Sequence, residues 1–262
     1  MLEVCTLASG SSGNCLLVRA GKTCLLVDAG ISCRRIVRAL RELGVEAKDL
    51  SGVLVTHEHS DHIAGLATLT KQFRLPVYAS RGTGWELCRR IAFVEELIRP
   101  VEPGARFQVG ELEAESFPTP HDAVQSVGYV LTDGEKRAAV ATDLGYVTPE
   151  AERAARGADL LVCEANHDVE WLRSGPYPYA LKARILGDRG HLSNEAGAEL
   201  AWAAVEGGAR TVVLAHLSHE NNTPARALEV VGSTLARRGA AVGRDVVLEA
   251  APRSEMGRVY RL

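Results

Sequence analysis

Hydrophobic residues in the first third of the chain form short continuous runs, which alternate with segments where apolar residues recur every three or four positions. A short apolar run predicts a buried strand, whereas the wider spacing predicts an amphipathic helix. Residues 31–44 (ISCRRIVRALRELG) show the helical pattern, and Gly44 is a suitable stop. The strands predicted here are residues 14–20 (NCLLVRA), 23–30 (TCLLVDAG), 52–59 (GVLVTHEH) and 76–80 (PVYAS), and a second helix is predicted at residues 62–73 (HIAGLATLTKQF).

The middle of the chain is rich in strands, and the last part alternates between strands and helices. Asp133-Gly134 marks a turn between two of the middle strands. Mixed strands followed by helices, twice over, predict two sheets packed face to face with helices outside. The predicted fold class is therefore α/β, an αββα four-layer sandwich, and residues 1–262 are expected to form a single domain. The further strands predicted are residues 107–117, 126–132, 137–143, 159–166, 211–218 and 246–250, and the further helices are residues 148–157, a segment beginning near Asn194, and residues 225–239.

The composition is that of an ordinary globular chain, with 46% hydrophobic and 24% charged residues among 262, so disorder is not expected. The formal net charge of −3 means that any nucleic-acid interface must be a local patch. The six cysteines form no CxxC pair, which predicts free thiols in a reducing cytoplasm. Neither a signal peptide nor a membrane span is expected.

Residues 57–62 (HEHSDH) carry the strongest chemical signal in the sequence. An apolar strand presents His57 and His59 two positions apart, so both imidazoles leave the strand on the same side. Asp61 and His62 follow after a turn, before the next helix. An isolated histidine is usually hydrogen-bonded or solvated. Three imidazoles and a carboxylate within six residues instead form a ligand set that borderline divalent metals favour.

The run HEHSDH resembles the HxHxDH signature of the metallo-β-lactamase superfamily, and further marks of that superfamily follow in order. These are Asp28 in LLVDAG, His121 in FPTPHDA, Asp143 in VATDLG and His216 in VVLAHLS. Each residue stands at or just past the end of an apolar run, where the edge of a sheet can present it to a shared cleft. The resemblance covers essentially the whole chain and implies a binuclear metal-dependent hydrolase.

The resemblance implies two divalent metal ions. Their ligands would be His57, His59 and His121 for one ion, Asp61, His62 and His216 for the other, and Asp143 bridging the two. Asp28 would support the site from behind by orienting a ligand imidazole through a hydrogen bond. Zinc, manganese and iron all suit histidine and carboxylate ligands, so the sequence leaves the metal open.

Residues 187–201 (GDRGHLSNEAGAELA) resemble the histidine–Ser/Thr element of the phosphodiesterases and nucleases in the superfamily. In relatives that process transfer RNA, this histidine pairs with a glutamate on the preceding strand, and the matching residues here are His191 and Glu164. A histidine backed by a carboxylate is suited to protonate a leaving oxygen. The alternative is a structural ion pair. Ser193 is in either case a suitable N-cap for the next helix.

Three segments together are similar to the YycJ-type (WalJ) subfamily of metallo-β-lactamase-fold proteins. They are residues 7–18 (LASGSSGNCLLV), 166–195 and 216–222 (HLSHENN). Members of this subfamily are regarded as DNA exonucleases that act from the 5′ end. The partner implied by the resemblance is therefore a nucleic acid, DNA in particular, and a role in DNA repair is compatible with it.

Polar residues of these segments are the candidates for substrate binding. Glycines in SGSSGN leave backbone amides and hydroxyls open to a phosphate or strand end, and an ordinary turn is the alternative. Basic residues before His191 suit phosphates, and a solvated helix face is the alternative. The asparagines would line the cleft or end turns. The candidates are Ser9, Ser11, Ser12, Asn14, Lys182, Arg184, Asn194 and Asn221.

The sequence thus predicts a two-metal phosphodiesterase, a 5′→3′ DNA exonuclease in which a hydroxide shared by the metals attacks phosphorus in line. The predicted catalytic residues are His191, Glu164, Asp61 and Asp143. The first alternative is a small-molecule hydrolase of the same fold, acting on a thioester, lactone or cyclic phosphodiester. The second is a regulatory binding protein with structural metals, against which the unbroken ligand set argues. The oligomeric state is left open.

Overall fold

A computed structural model describes all 262 residues, and its strands and helices follow the predicted pattern closely. The strands are β1 (Leu2–Ala8), β2 (Cys15–Ala20), β3 (Thr23–Val27), β4 (Gly52–Leu54), β5 (Val77–Ser80), β6 (Ile98–Val101), β7 (Arg106–Val109), β8 (Leu112–Pro118), β9 (Val127–Thr132), β10 (Arg137–Ala141), β11 (Leu160–Glu164), β12 (Thr211–Ala215), β13 (Val247–Ala250) and β14 (Val259–Arg261). The α-helices are α1 (Cys33–Glu42), α2 (Ser60–Ile63), α3 (Leu66–Phe73), α4 (Arg81–Arg90), α5 (Pro149–Arg156), α6 (Val169–Ser174), α7 (Tyr179–Leu186), α8 (Asn194–Glu206) and α9 (Pro224–Arg237). Short 3₁₀ helices cover Ala47–Asp49 and Ala92–Leu97.

The strands form two mixed sheets of seven strands each. The first sheet has the order β14-β1-β2-β3-β4-β5-β6, and the second has the order β13-β12-β11-β10-β9-β8-β7. In the first sheet β1, β2 and β3 are antiparallel neighbours, and β3 to β6 run parallel. The second sheet has the same plan, with β7 to β10 antiparallel and β10 to β13 parallel.

The hydrophobic core lies in three layers, one between the sheets and one outside each. Alternate residues of a strand point to opposite faces, so β3 sends Leu25 to the layer between the sheets and Leu26 to the layer beneath α1 and α3. In β12, Val213 faces the other sheet and Leu214 faces the layer beneath α8 and α9. Burial on both faces explains the continuous apolar runs in the sequence. The predicted αββα sandwich is confirmed.

Local details follow from close contacts that the hydrophobic pattern does not reveal. The predicted helix at residues 62–73 is divided into α2 and α3 at Gly65, where a Cβ would lie 2.1 Å from the carbonyl oxygen of Ile31. The hairpin of β2 and β3 is antiparallel as predicted, and Gly44 after α1 has a left-handed φ of 71°. The helices α4, α6 and α7 were not predicted.

All six cysteines are free thiols, as predicted, and five of them are buried. None of the helices combines the length and the apolar character required to cross a membrane.

Candidate metal centre

Residues 57–62 form the expected strand–turn–helix ligand run. They follow β4, and Asp61 lies in the first turn of α2. The ring of His57 lies with its centroid 4.6 Å from that of His59 and 4.1 Å from that of His62. His57 and His62 are buried, whereas His59 and Asp61 are partly open to the cleft. The first sheet therefore delivers four of the predicted ligands to one place.

The second sheet brings the other three predicted ligands to the same cleft from separate strand ends. His121 follows β8, Asp143 follows β10 and His216 directly follows β12. His121 Nε2 lies 3.3 Å from His59 Nδ1, and His216 Nε2 lies 3.3 Å from Asp61 Oδ2. Asp61 and His216 are thus neighbours although 155 positions separate them in the chain.

Asp143 lies between the two groups of predicted ligands. Its Oδ1 is 3.7 Å from His121 Nε2 and 3.6 Å from His216 Nε2, and its Oδ2 is 3.4 Å from His62 Nε2. Candidate ligand atoms lie within 4.8 Å of one another in four overlapping sets. Three consist of predicted ligands, which are His57 with His59 and His121, His57 with His62 and Asp143, and Asp61 with His62 and His216. The fourth joins the predicted ligands Asp143 and His216 to Glu164 and His191. The side chains predicted to hold metal ions are thus all brought together.

Two buried atoms at this centre have no hydrogen-bond partner, namely His57 Nε2 and Asp143 Oδ2. A buried polar atom without a partner is costly, and each one in a folded protein requires an explanation. Both atoms belong to the overlapping sets of nitrogen and carboxylate donors. Imidazole nitrogen and carboxylate oxygen are suitable ligands for a divalent cation, so the residues fit a metal ion.

The carboxylates and imidazoles of the centre shift one another's pKa values in opposite directions. Burial alone would raise the pKa of Asp143, but the imidazoles around it, with His216 and His62 foremost, hold that pKa well below its usual range. Burial opposes protonation of His216, but Asp143, Asp61 and Glu164 raise its pKa to about 10. Burial lowers the pKa of His57, which keeps that imidazole neutral. A cation bound here would displace the protons of the charged imidazoles.

Asp28, to which the resemblance assigns a supporting role, lies behind the ligand run and contacts it. Its Oδ2 is 2.7 Å from His62 Nδ1, its Oδ1 accepts a hydrogen bond of 2.8 Å from the Thr56 backbone, and Thr56 Oγ1 donates to Oδ2 at 2.9 Å. Thr56 Oγ1 also lies 3.1 Å from His57 Nδ1. Thr56 is therefore a positioning residue that sequence reasoning missed, because a threonine at a strand end carries no distinctive signal.

Glu164 supports the other side of the centre and is completely buried. Its Oε1 lies 2.8 Å from His191 Nδ1 and 3.0 Å from His216 Nδ1. Its Oε2 accepts hydrogen bonds from the backbone N–H groups of Leu144 and Leu192, both at 3.0 Å. Burial alone would raise the pKa of Glu164, but the interaction with His191 and then the bond from His216 lower it to about 2. The predicted pair of Glu164 and His191 is thus present, and it also includes a predicted metal ligand.

Glu58 and Ser60 are the residues of the ligand run to which sequence reasoning gave no role. Glu58 has clear contacts. It is buried, its Oε1 accepts a hydrogen bond of 2.9 Å from the Val124 backbone, and its Oε2 accepts one of 3.3 Å from Thr83 Oγ1. Glu58 thus ties the ligand run to the loop that carries His121. Asn166 has a similar role in the second sheet, where its Nδ2 donates to the His216 carbonyl at 2.9 Å.

Four of the eight predicted substrate-binding residues are buried, and the side chains of Ser9, Asn14 and Asn194 form hydrogen bonds within the protein. Ser9 Oγ accepts from the His216 backbone at 2.8 Å. Asn14 Oδ1 accepts from the Gly10 backbone at 2.8 Å, and its Nδ2 lies 3.1 Å from His62 Nε2. Asn194 exchanges two side-chain hydrogen bonds with Asn222. Asn221 is also buried, and its backbone N–H donates to Ser218 Oγ at 3.2 Å, whereas its side-chain Oδ1 has no hydrogen-bond partner. A polar residue in a Gly/Ser-rich or loop segment is therefore not always a surface residue.

The other four candidates are accessible. Ser11 and Ser12 are exposed in the loop between β1 and β2. Lys182 and Arg184 lie on α7, where Lys182 Nζ donates to the Arg173 carbonyl at 2.7 Å and Arg184 forms an ion pair with Asp122. Ser11 and Arg184 line a cavity of about 170 Å³ that opens beside His191.

Two packed mixed sheets, with histidines and carboxylates gathered at the ends of their strands, define a metal-dependent hydrolase of the metallo-β-lactamase fold. The family model described as the beta-lactamase superfamily domain matches residues 23–217. The chain belongs to this superfamily and, within it, to the family of the YycJ and WalJ exodeoxyribonucleases.

The relatives that show this membership match along nearly their whole length. Exodeoxyribonuclease YycJ of Bacillus anthracis is 38% identical over 92% of this chain and 92% of its own. Exodeoxyribonuclease WalJ of Streptococcus pneumoniae is 39% identical over 91% of this chain and 90% of its own. Among solved structures, the metallo-β-lactamase fold protein YhfI from Bacillus subtilis has a TM-score of 0.73 at 18% identity, covering all of both chains.

Proposed function

We propose that this protein is a 5′→3′ exodeoxyribonuclease that depends on two divalent metal ions. One observation in the molecule carries the proposal. His191, held by Glu164 at 2.8 Å, lies beside the cluster of predicted metal ligands and faces an open cavity. The choice of DNA is supported by two relatives that are named exodeoxyribonucleases and are 38% and 39% identical over most of the chain.

The metal ligands would be those predicted from the sequence. His57, His59 and His121 would hold one ion, Asp61, His62 and His216 would hold the other, and Asp143 would contact both. Zinc, manganese and iron all suit this donor set. Divalent ions at such a centre supply Lewis-acid chemistry, because they lower the pKa of water and neutralise charge on phosphate oxygens.

Glu164 is a positioning residue in this proposal. Its two oxygens already accept from two imidazoles and two backbone N–H groups, so they are committed to the protein and not to a metal. The bond from His191 Nδ1 fixes the ring and leaves Nε2 for the substrate. The His191 side chain is 19% exposed, whereas Asp143 and His216 are 2% and 3% exposed, which suits a group that must reach the substrate.

The chemical step assigned to His191 is donation of a proton to the leaving oxygen. Water adds to phosphorus, the bond between phosphorus and the 3′ oxygen breaks, and that oxygen takes the proton from His191 Nε2. An alkoxide is a poor leaving group, and general acids of this kind contribute about 10²- to 10⁴-fold to rates. The terminal nucleotide then leaves with a 3′ hydroxyl, and the shortened strand keeps a 5′ phosphate.

The test is digestion of end-labelled single- and double-stranded DNA and RNA, with zinc, manganese or magnesium added. The expected result is stepwise release of nucleotides from the 5′ end of DNA, and His59→Ala serves as the inactive control. Turnover of a thioester, lactone or cyclic phosphodiester without any cleavage of nucleic acid would favour a small-molecule hydrolase and refute the proposal.

A further inference from the structure

The cavity beside His191, called the α7 cavity below, has apolar lining residues that the proposed chemistry does not use. These are Tyr177, Leu181 and Ile185, and the polar lining residues include Asn166, His191 and Ser218. The volume of about 170 Å³ is small compared with the roughly 300–1,000 Å³ of pockets for drug-sized ligands. The cavity is therefore suited to a single small group rather than to a drug-sized ligand.

Helix α7 is unusual because none of its residues is buried. Leu181 and Ile185 stand four positions apart and thus on the same helix face, and both line the cavity. Polar contacts hold the helix in place, including the ion pair of Arg184 with Asp122 and the bond from Lys182 to the Arg173 carbonyl. An apolar helix face that covers a cavity next to the metal centre, rather than a core, is suited to contact a ligand.

We propose that the α7 cavity binds the 5′-terminal nucleoside of the DNA strand, with its base against Tyr177, Leu181 and Ile185. This inference rests on the proposed function. The proton of His191 goes to the 3′ oxygen of the departing nucleoside, and His191 lines this same cavity. In digestion from the 5′ end, the departing nucleoside is the terminal one, so it occupies the side of the centre where His191 lies.

The chemistry of the cavity suits a base of any identity. Contact with an aromatic ring and two aliphatic side chains requires a π-face but no particular pattern of donors and acceptors. Among the polar lining residues, Asn166 Nδ2 donates to the His216 carbonyl at 2.9 Å, which leaves Asn166 Oδ1 for a ligand. Ser218 Oγ accepts from the Asn221 backbone at 3.2 Å, so the Ser218 hydroxyl hydrogen remains available to an oxygen of the sugar or phosphate.

The test compares two single-stranded DNA substrates that differ only in their 5′-terminal residue, which carries a base in one and is abasic in the other. The wild-type protein, loaded with manganese, is expected to release the residue with a base with a kcat/KM about ten-fold higher, in the range for loss of base–aromatic stacking. Tyr177→Ala is expected to reduce this ratio towards one, mainly by raising KM for the substrate with a base. Tyr177→Phe keeps the ring and should keep the ratio.

Tyr179→Ala is the matched control, because Tyr179 is 87% exposed and does not line the cavity. Leu181→Ala provides a second variant with a smaller expected loss of the same ratio. Equal release of both substrates by the wild type, or a ratio unchanged in Tyr177→Ala and Leu181→Ala, would overturn the assignment of the cavity while the exonuclease stands. Release of no nucleotide from either substrate would overturn the proposed function and this inference together.

Discussion

Asp28 and Glu164 are both buried carboxylates at the end of an inner strand, one in each sheet, and both bind the Nδ1 atom of a predicted metal ligand. They differ in what else they hold. Asp28 binds His62 and Thr56, so its contacts serve the ligand run alone. Glu164 binds His216 and also His191, which lies outside the predicted ligand set. Under the proposed function, the first carboxylate would support metal binding, and the second would couple metal binding to the proposed proton donor.

Because of this difference, mutation should separate metal binding from proton donation. Substitution of Asp28 should lower activity by lowering the metal content. Substitution of Glu164 should lower activity even when the metal content is complete. The four predictions below begin with the largest expected effect. Those on His191 and on the pair Asp28 and Glu164 test this contrast directly, and the other two test the packing around Glu164.

His191→Ala is predicted to reduce kcat on labelled DNA by about 10²- to 10⁴-fold while the metal content stays the same, because a general acid is lost but no ligand is removed. Metal analysis of the purified variant beside its nuclease rate checks this. His219→Ala is the control, because His219 is a histidine whose side chain is 70% exposed. An unchanged rate, or loss of metal together with activity, would contradict the assignment.

His167, close to Glu164, is predicted to make the protein less stable in acid. Burial, the largest influence, lowers its pKa to about 4, whereas an unfolded histidine has a pKa of about 6.5. Between these values the unfolded chain binds a proton that the folded protein does not. The stabilisation is therefore complete above about pH 6.5 and is lost as the pH falls towards 4, by about 3 kcal/mol in total.

The measurement is the urea midpoint of the wild type and of His167→Gln at pH 7.5 and pH 5. The variant should lose less stability between the two pH values than the wild type does. A direct NMR titration of the His167 ring gives the same answer without a mutation. Equal losses in the two proteins, or a ring that titrates near pH 6.5, would be inconsistent with a neutral buried imidazole.

Asp28→Asn and Glu164→Gln are each predicted to weaken metal binding by about 10- to 100-fold, since each removes a carboxylate that orients a ligand imidazole. The contrast appears when metal is added in excess. The rate of Asp28→Asn should return close to that of the wild type, whereas Glu164→Gln should stay slow because His191 is no longer held. Full recovery of both variants would show that the two carboxylates are equivalent.

The smallest effect concerns thiol labelling. Cys88, on α4, is the only cysteine that is not fully buried, and Cys163 is buried directly beside Glu164, where burial strongly raises its pKa. A thiol reagent should therefore modify Cys88 first in the native protein, and Cys88→Ser should remove this first phase. Early labelling of Cys163 would indicate that the structure around Glu164 opens more readily than its hydrogen bonds imply.

The same contrast explains how much of the site could be predicted from the sequence. The predicted ligands of the first sheet lie close together in the sequence, so a strand and a turn are enough to bring His57, His59 and His62 together. The predicted ligands of the second sheet lie at three separate strand ends. Resemblance to a family identified His121, Asp143 and His216, because their proximity depends on the order of strands in the sheet, which no local pattern encodes.

The sequence does not show which way a polar side chain points. Asn194 and Asn221 are candidates for the lining of the cleft, and both are buried in the fold. Glu58 was given no role, and it binds the loop that carries His121. The α7 cavity depends on the position of α7, and a helix without buried residues has no apolar core face from which its position could be predicted. The four-layer sandwich was predictable because burial on both faces of its inner strands produces long apolar runs.

The backbone at Asp28, Asp143 and His216 is left-handed, with φ values of 62°, 61° and 56°. Residues other than glycine adopt this conformation at a cost of about 1–3 kcal/mol each, and functional sites are where such costs are retained. Substitutions that relieve this strain would therefore raise the free energy of unfolding and the melting temperature of the protein. A laboratory selection for heat resistance alone would be free to place glycine at these three positions, and the hardier proteins that emerged would be poor enzymes.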